Sequence, residues 1–572
     1  MVNEDAINDY ATGMDNFSPD RRQLLQVAAL GAATAASVWL PRNAWSNTGS
    51  QARFQNNPFT LGVASGSPTH DSVVLWTRLV LDRDSGFLVS VLNRGMVGEP
   101  ITVRWEIAQD EQFSRIVQSG QSQAVAALAH SVHVEVSNLQ PDRWYFYRFM
   151  AGDVISPVGR TRTFPAAGTP AAKLRMAYAS CQRWEHGYFS AYKHMLAENL
   201  DAVLFLGDYI YEYPGATNGM RLPNMTSSLG FTLTLDDYRA RYAVYKGEAD
   251  LQAMHAACPW LVTWDDHEVQ NDYAGLTAGD SSAADIFSNP KHFAQRRAAA
   301  YQAFYEHMPI RASSLMKSFT GMVNHASNAE MRIYNRVDFG NLAAFYLLDA
   351  RQYKDPLVCT TNDKLGSSWV NPANCATWHD PNRTMLGAQQ EQWLNAEFGK
   401  SAKMNHTWNV LGQQTLFGQR DGTPGPDQSL WNDGWDGYTA ARTRMTEALQ
   451  KNAVRNPVFL GGDVHENWVG HIKADYSQTA SAQASAPIGV EFCGTSITSR
   501  SSGMAKVPER LAENPHFVFA DAKQRGYGVV EFTPKQLTTT LRVLDDVTRK
   551  DTKVSTLAQF VVPAGRSVVE RA

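Results

Sequence analysis

Four short segments of the chain combine carboxylates, imidazoles, phenols and a thiol, and each follows an apolar run typical of a buried strand. Groups of these types bind metal ions, and two ions side by side activate water for hydrolysis. Polar residues at the ends of neighbouring strands meet along one edge of a sheet, so the segments predict one shared metal site. The segments are residues 179–182, 207–211, 264–268 and 461–465.

The second segment places Asp208 and Tyr211 after the buried run 203–206. Gly207 permits a sharp exit from the strand, so that Asp208 lies at its tip. A carboxylate there can bridge two metal ions, with one oxygen on each. The phenolate of Tyr211 is a hard anionic ligand that favours a highly charged ion such as ferric iron. An ordinary strand-to-loop turn with aromatic packing is the alternative interpretation.

The fourth segment repeats this arrangement with Asp463 and His465 after the buried run 458–460. Gly461 and Gly462 let the backbone approach another group closely. Two residues apart in extended structure, Asp463 and His465 point the same way and can reach one metal centre. A surface aspartate beside a packed histidine is the alternative, but two glycines directly after a buried strand favour the ligand interpretation.

The third segment concentrates Asp265, Asp266, His267 and Glu268 after the apolar run 260–262. Carboxylates this close would repel one another and would be costly to bury without a cation, and a divalent metal resolves that conflict. His267 is then free to donate a proton to a leaving oxygen, with Glu268 orienting its imidazole. A solvated acidic loop is the alternative.

Two further residues at strand tips admit two interpretations each. Cys181 closes the run 175–180. A buried thiol there is either a small hydrophobe or, beside a highly charged metal, a deprotonated ligand. Arg351, within 349–353, offers either a planar fork to phosphate oxygens or a structural ion pair with Asp349.

Together these residues predict a two-metal site. Two cations roughly 3.5–4 Å apart would activate water for in-line attack on phosphorus and hold the phosphate oxygens. His267 and Arg351 would then act on the substrate as catalytic and substrate-binding residues. Oxygen ligands alone at the second position favour Ca²⁺, Mg²⁺ or Mn²⁺. The ligands expected at the first metal are Cys181, Asp208, Tyr211 and His465. Those expected at the second are Asp208, Asp266 and Asp463.

The elements that must position these residues follow an alternating pattern. From Leu174 onward, apolar β runs alternate with longer helical stretches, which predicts an α/β domain over residues 171–572. Residues 57–165 show only β alternation, and segment 139–147 resembles the tyrosine corner of fibronectin type III-like sandwiches. A small all-β domain is therefore expected before the α/β domain, with 165–170 as the linker.

Residues 1–46 resemble a twin-arginine export signal. Arg21-Arg22 precede an Ala-rich, mildly apolar run at 24–40 that is shorter than the ~20 residues of a membrane span. An uncleaved membrane anchor is the alternative. Export through the twin-arginine machinery predicts a periplasmic or secreted protein in an oxidising compartment, where Cys359 and Cys375 could form a local disulfide.

Composition excludes some classes of protein. The chain has 572 residues, 44% of them hydrophobic and 19% charged, with a net charge of −4. That length exceeds what one core usually serves and predicts two domains in a folded, soluble protein. The charge leaves no basic footprint, so specific binding to nucleic acid is not expected.

In this order, the motifs resemble those of the calcineurin-like metallophosphoesterases. Residues 207–211 match the Gly-Asp-x-x-Tyr motif of that superfamily directly. The chain departs from the usual pattern at three ligands. Cys181 stands for the first aspartate, Asp266 for the asparagine of Asn-His-Glu, and Asp463 for the first histidine of Gly-His-x-His.

The same departures are similar to the PhoD type of alkaline phosphatase, as are segments 349–353 and 386–394, the β region and the export signal. This resemblance covers nearly all of the chain after the signal. It implies a sandwich of two β-sheets flanked by helices, with Fe³⁺ and Ca²⁺ as cofactors. It also implies hydrolysis of phosphate monoesters and diesters at alkaline pH, for phosphate acquisition. The aspartates at 266 and 463 both favour Ca²⁺, in agreement with the ligand chemistry.

Two other functions stay open at this point. A phospholipase D-like enzyme would apply the same metal chemistry to lipid headgroups in a different cleft. A non-enzymatic secreted protein would only bind metal. Asp463 disfavours a purple acid phosphatase. The expected partners are small phosphate esters, with phospholipids and nucleotides as candidate classes, and the chain is expected to be a monomer.

Overall fold

The computed structural model describes residues 54, 56–81, 100–213, 221, 232–279, 290–315, 330–360, 365–477, 481–483 and 485–572. The export signal expected in residues 1–46 lies outside these ranges. Among the helices in the described ranges, none is long and apolar enough to cross a lipid bilayer.

The strands of the described residues are numbered in chain order. The first half comprises β1 (Val63–Gly66), β2 (Val73–Arg78), β3 (Ile101–Ala108), β4 (Ile116–Ala124), β5 (Ser131–Val136), β6 (Trp144–Ala151), β7 (Val154–Ile155), β8 (Gly159–Arg162), β9 (Leu174–Ala179), β10 (Ala202–Phe205), β11 (Trp260–Val262) and β12 (Asn335–Phe339). The second half comprises β13 (Ala343–Leu347), β14 (Trp369–Val370), β15 (Trp408–Gly412), β16 (Leu430–Trp431), β17 (Pro457–Gly461), β18 (Asn467–Lys473), β19 (Pro487–Cys493), β20 (Phe517–Asp521), β21 (Gly526–Phe532), β22 (Gln536–Leu544), β23 (Val554–Pro563) and β24 (Glu570–Arg571).

The helices cover the outer faces of the sheets. They are α1 (Ser190–Leu196), α2 (Leu235–Lys246), α3 (Ala249–Ala257), α4 (Pro290–His307), α5 (Ala388–Met404), α6 (Thr439–Lys451) and α7 (Val507–Glu513). Helix α2 begins with a capping box. The Thr234 hydroxyl accepts the Asp237 N–H, and the Asp237 carboxylate accepts the Thr234 N–H.

A ten-stranded sheet, called sheet 1, has the order β24-β23-β22-β21-β9-β10-β11-β1-β2-β5. Its central strands β9, β10 and β11 are parallel. Alternate residues of β9 face two different cores, because both faces of the sheet are covered. Met176 and Tyr178 join the core between the two sheets, whereas Ala177 and Ala179 pack beneath α1 to α4.

A seven-stranded sheet, called sheet 2, has the order β12-β13-β15-β17-β19-β18-β20. Strands β13, β15, β17 and β19 are parallel. Phe345 and Val458 face sheet 1, while Leu411 and Phe459 face α5 and α6. The layers are therefore helix, sheet, sheet and helix. The predicted α/β sandwich of two sheets flanked by helices is confirmed.

The N-terminal region is a β-sandwich. Strands β3, β4, β6, β7 and β8 form a five-stranded sheet, which packs on β1, β2 and β5 around residues such as Val73, Val103 and Tyr147. The Tyr145 hydroxyl accepts the N–H of Gln140 at 3.0 Å and lies 3.4 Å from its carbonyl oxygen. This contact is a tyrosine corner, as segment 139–147 predicts.

The sandwich shares sheet 1 with the rest of the chain. Gly66 of β1 pairs in parallel with Trp260 of β11. A Cβ atom on Gly66 would lie 2.6 Å from the carbonyl oxygen of Pro309, so only glycine fits here. The division of the chain into domains at 57–165 and 171–572 stays a prediction. Three strands of the first domain, β1, β2 and β5, extend sheet 1 of the second.

Cys359 and Cys375 form a disulfide with a Cα–Cα distance of 6.0 Å. This bridge is the local one that the spacing suggests. The other thiols, Cys181, Cys258 and Cys493, are free and buried.

Candidate metal centre

The strand tips that carry the predicted ligands meet at one edge of the two sheets. Cys181 and Asp208 follow β9 and β10, and Asp266 follows the neighbouring β11. Asp463 and His465 follow β17 of sheet 2. Because the parallel strands of a sheet end on the same side, side chains far apart in sequence are brought together.

The four residues predicted for the first metal converge on one point. Cys181, Asp208 and His465 each offer a ligand atom within 4.8 Å of the others. The Tyr211 hydroxyl donates to Asp208 Oδ2 at 2.8 Å and lies 3.2 Å from His465 Nε2. Ser499 Oγ donates to the same hydroxyl at 2.8 Å and fixes the phenol. A thiol, a carboxylate, a phenol and an imidazole therefore share one site.

Asp208 also belongs to a second group, formed with Asp266 and His267, whose ligand atoms lie within 4.8 Å of one another. Asp463 interacts electrostatically with Asp266 and Arg351, and burial raises the pKa of Asp463 to about 6. Asp208 is thus shared by the two groups, as expected of a carboxylate that bridges two metal ions.

Three buried carboxylate oxygens at this site have no hydrogen-bond partner among the residues that the structure describes: Asp208 Oδ1, Asp265 Oδ2 and Asp266 Oδ1. Each such unmade bond costs about 1–3 kcal/mol or more. Burial raises the pKa of Asp208 well above its usual range, and His267 offsets this rise only in part. A cation would satisfy all three oxygens, so the residues present fit a metal centre.

The backbone is strained at several of the predicted ligands. Four of them adopt positive φ angles between 57° and 64°. The left-handed region costs a non-glycine residue about 1–2 kcal/mol, and such strain persists where the surrounding structure enforces it, often at functional sites. The strained residues are Cys181, Asp208, Asp463 and His465.

The imidazole of His267 is held by Glu212. Nδ1 of His267 lies 2.7 Å from Glu212 Oε2. Burial lowers the pKa of His267, but neighbouring carboxylates, Glu212 foremost, outweigh burial and raise the pKa well above its usual range. With Nδ1 occupied, a protonated His267 has Nε2 available to donate.

Glu268 has a different role from the expected one. Its carboxylate accepts the backbone N–H groups of Asp208, Tyr209 and Asp265 at 2.5–3.1 Å. It therefore joins the loops after β10 and β11, and the expectation that Glu268 orients His267 is wrong. The only sequence signal that could have pointed to Glu212 is its position directly after Tyr211.

The guanidinium of Arg351 is buried among carboxylates, with 1% of its side chain exposed. It donates to Asp265 and Asp433 and lies 3.6 Å from Asp266. The predicted ion pair with Asp349 is wrong, because Arg351 donates to the Asp349 carboxylate through its backbone N–H and not through its guanidinium. Contact of Arg351 with substrate phosphate stays a prediction, and this geometry favours a counter-charge to the acidic side chains.

Besides Glu212, two more acidic residues of the site were not among the predicted site residues. Asp272 and Asp433 each offer a ligand atom within 4.8 Å of one another and of Asp266. Asp433 is paired with Arg351 and Lys354. Burial raises the pKa of Asp272 to about 7. Asp272 could have been found from its place six residues after Asp266, whereas Asp433 follows the two-residue strand β16 and carries no comparable signal.

Comparison with known proteins agrees with the fold and the site. Residues 176–541 match the family described as PhoD-like phosphatase, and residues 44–165 match its N-terminal domain. Alkaline phosphatase D of Bacillus subtilis is 41% identical over 551 residues, which cover 96% of this chain and 88% of that protein. A solved structure described as "Structure of PhoD" is 41% identical, covers 91% of this chain and 93% of its own, and superposes with a TM-score of 0.80. The chain therefore belongs to the PhoD-like phosphatase family of phosphoester hydrolases.

Proposed function

We propose that the chain is an exported alkaline phosphatase and phosphodiesterase that uses ferric iron and Ca²⁺ to release phosphate from small esters. The supporting observation is Asp208, which belongs both to a group containing a thiol and an imidazole and to a group containing Asp266. Such a carboxylate suits two different ions at neighbouring positions.

The ligand chemistry supports the choice of ions. Cys181, Tyr211 and His465 supply a thiolate, a phenolate and an imidazole, which together favour a redox-active, highly charged ion. Asp266 and Asp463 supply oxygen alone, which favours Ca²⁺. When bound, the two ions supply Lewis-acid activation of water and neutralise charge on the phosphate oxygens.

The chain's own residues then complete the reaction. His267 donates a proton from Nε2 to the departing oxygen, since its Nδ1 is held by Glu212. Arg351 balances the negative charge of Asp265, Asp266 and Asp433 at the base of the site.

The substrates proposed are phosphate monoesters and diesters, hydrolysed at alkaline pH for phosphate acquisition. The family supports phosphoester hydrolysis, and the resemblance of residues 1–46 to a twin-arginine signal supports periplasmic or secreted location. Hydrolysis confined to phospholipid headgroups would instead favour the phospholipase D-like alternative.

Substitution of the bridging carboxylate tests this proposal. We expect Asp208→Asn to abolish hydrolysis of p-nitrophenyl phosphate and bis-p-nitrophenyl phosphate while circular dichroism shows an intact fold. Asp551→Asn is the matched control, because the Asp551 side chain is 78% exposed at the surface. Activity of Asp208→Asn comparable with that of the control would overturn the site assignment.

Elemental analysis and chelation test the ions separately. The purified protein should contain iron and calcium, and chelation should abolish hydrolysis until both ions are returned. A fully active preparation with two zinc ions and neither iron nor calcium would contradict the proposed cofactors.

A further inference from the structure

The surroundings of His267 define where the leaving group of a substrate must lie. Because Glu212 holds Nδ1 of His267, the proton leaves from Nε2. The departing oxygen of the substrate must therefore lie close to Nε2. Two aromatic rings border the imidazole. The ring of Tyr211 is 4.1 Å away between centres, and the ring of Tyr213 is 5.2 Å away in an edge-on arrangement.

Arg183 extends over these rings from the loop after β9. Its guanidinium carbon lies 4.9 Å from the ring centre of Tyr213 and 5.7 Å from that of Tyr211. The backbone on both sides is anchored, since Arg183 N–H donates to Ser499 Oγ and its carbonyl accepts from Thr498 Oγ1. The side chain is 15% exposed, so it can meet a molecule in the site.

The charge of Arg183 is only partly compensated. Its guanidinium forms an ion pair with Glu185, with 3.6 Å between Arg183 Nε and Glu185 Oε2, and no hydrogen bond from the described residues satisfies that Nε. Arg241 faces the same carboxylate at 3.8 Å. Two guanidinium groups therefore share one carboxylate. The side chains of Arg183, Arg241 and Glu185 together carry one net positive charge.

The second guanidinium group, that of Arg241, is held in a fixed position. Arg241 is buried and donates to the backbone carbonyl oxygens of Tyr211 and Tyr213. His186 lies beside this group, and its Nδ1 is 3.3 Å from the backbone N–H of Arg500. Burial lowers the pKa of His186 to about 3, with Arg183 and Arg500 adding to the effect.

We propose that Arg183 is a specificity-determining residue that selects phosphate esters whose leaving group is planar and negatively charged. This inference rests on the proposed function, because it takes His267 as the proton donor to the leaving oxygen. Guanidinium groups pair with anions and stack on planar rings. Tyr213 supplies aromatic contact beside the same departing group, and binding energy gained there lowers the barrier to reaction.

Two esters of nearly the same shape, one with a charged leaving group and one with a neutral one, provide the test, and the comparison of variant with wild type cancels their difference in intrinsic reactivity. The leaving group of 4-carboxyphenyl phosphate is an anion, and that of 4-carbamoylphenyl phosphate is its neutral counterpart. We expect Arg183→Gln to lower the ratio of their kcat/KM values about tenfold, the effect of losing a charge-assisted contact. Arg183→Lys should give an intermediate ratio, because it keeps the charge but not the planar fork.

Arg332→Gln is the matched control, because Arg332 also lies over a tyrosine ring, 4.4 Å from the centre of Tyr334, outside the metal site. It should leave the ratio at the wild-type value. If Arg183→Gln lowers kcat/KM equally for both esters, Arg183 acts on the phosphate or only on the fold, and the inference is overturned. A wild-type protein that hydrolyses neither ester would instead refute the proposed function.

A second measurement uses the wild-type protein alone and does not depend on the folding of a variant. Attraction between a partly exposed charge and an anionic leaving group weakens as salt screens it, with a Debye length of about 10 Å at 0.1 M and 3 Å at 1 M. The kcat/KM ratio of the two esters should therefore fall as potassium chloride is raised. A ratio independent of salt would contradict the role of Arg183.

Discussion

The candidate metal centre and the junction where α2 and the N-terminal sandwich pack on α4 both bury charged groups, but they satisfy them differently. At the junction, Glu306 is fully buried and accepts two hydrogen bonds from Arg239 at 2.7 and 2.6 Å. At the centre, Asp208, Asp265 and Asp266 each keep one buried oxygen without a partner. At the junction a carboxylate and a guanidinium satisfy each other, whereas at the centre a cation would satisfy the remaining oxygens. The unmade contacts of these buried carboxylates therefore set the centre apart from the buried ion pair of Glu306 and Arg239.

The strongest test of the centre is removal of His267, its proposed proton donor. We expect His267→Ala to lower kcat by about 10²–10⁴, the usual contribution of general acid–base catalysis. The loss should be larger for phenyl phosphate than for p-nitrophenyl phosphate, because the poorer leaving group needs the proton more. Glu212→Gln should lower kcat in the same direction by less, since glutamine still accepts from Nδ1. Steady-state kinetics of both esters measure these effects.

The control for this pair is Glu447→Gln, which changes an exposed carboxylate on α6. It should leave both rates at their wild-type values. An equal loss for the two esters in His267→Ala would assign His267 to metal or phosphate binding instead of proton donation.

The same type of substitution should have opposite consequences in the two regions. Glu306→Gln removes the buried counter-ion of Arg239, so that the partly exposed Asp236 has to compensate its charge, and should lower the free energy of unfolding by about 3–5 kcal/mol. Asp208→Asn in the metal-free protein removes a buried carboxylate that the chain does not satisfy. It should leave the free energy of unfolding unchanged or raise it. Denaturant unfolding of both metal-free variants measures the difference.

A loss of several kcal/mol in metal-free Asp208→Asn would mean that the chain itself stabilises this carboxylate. The contrast between the two regions would then fail, even if the enzyme needs metal for activity.

The sequence predicted the centre well where the signal is local. Glycine after a buried run marks a strand tip, and this rule located Asp208 and Asp463. Alternation within β9 likewise identifies two buried faces, because its residues enter two different cores. Such features depend on neighbours in sequence, so they can be read from a single chain.

Contacts between distant segments could not be predicted in this way. Glu212 and Glu268 both lie near His267, and only the folded loops decide that Glu212 meets the imidazole while Glu268 binds backbone N–H groups. The pairing of Gly66 with Trp260 joins the sandwich to sheet 1, and it likewise depends on register between segments almost 200 residues apart. Local patterns carry no information about such pairings.

The smallest expected effect concerns the junction and its response to acid. The His133 ring of β5 stacks on Tyr305 with centres 4.2 Å apart, and Nε2 lies 2.9 and 3.0 Å from the carbonyl oxygens of Tyr305 and Met308. Burial lowers the pKa of His133 to about 4, although the two carbonyls raise it. The unfolded chain takes up a proton near the usual pKa of 6.5, whereas the folded chain does not.

Stability from His133 should therefore be lost as pH falls from about 6.5 to about 4 and should change no further below that range. The loss is at most about 3 kcal/mol, at 1.36 kcal/mol for each pKa unit. The measurement is the free energy of unfolding of metal-free wild type minus that of His133→Gln, because subtraction cancels the titration of the metal ligands. The exposed His70 provides the control variant His70→Gln. A difference that stays constant between pH 4 and 7 would mean that His133 takes up its proton as readily in the folded chain as in the unfolded one, and that the junction accommodates the charged imidazole without cost.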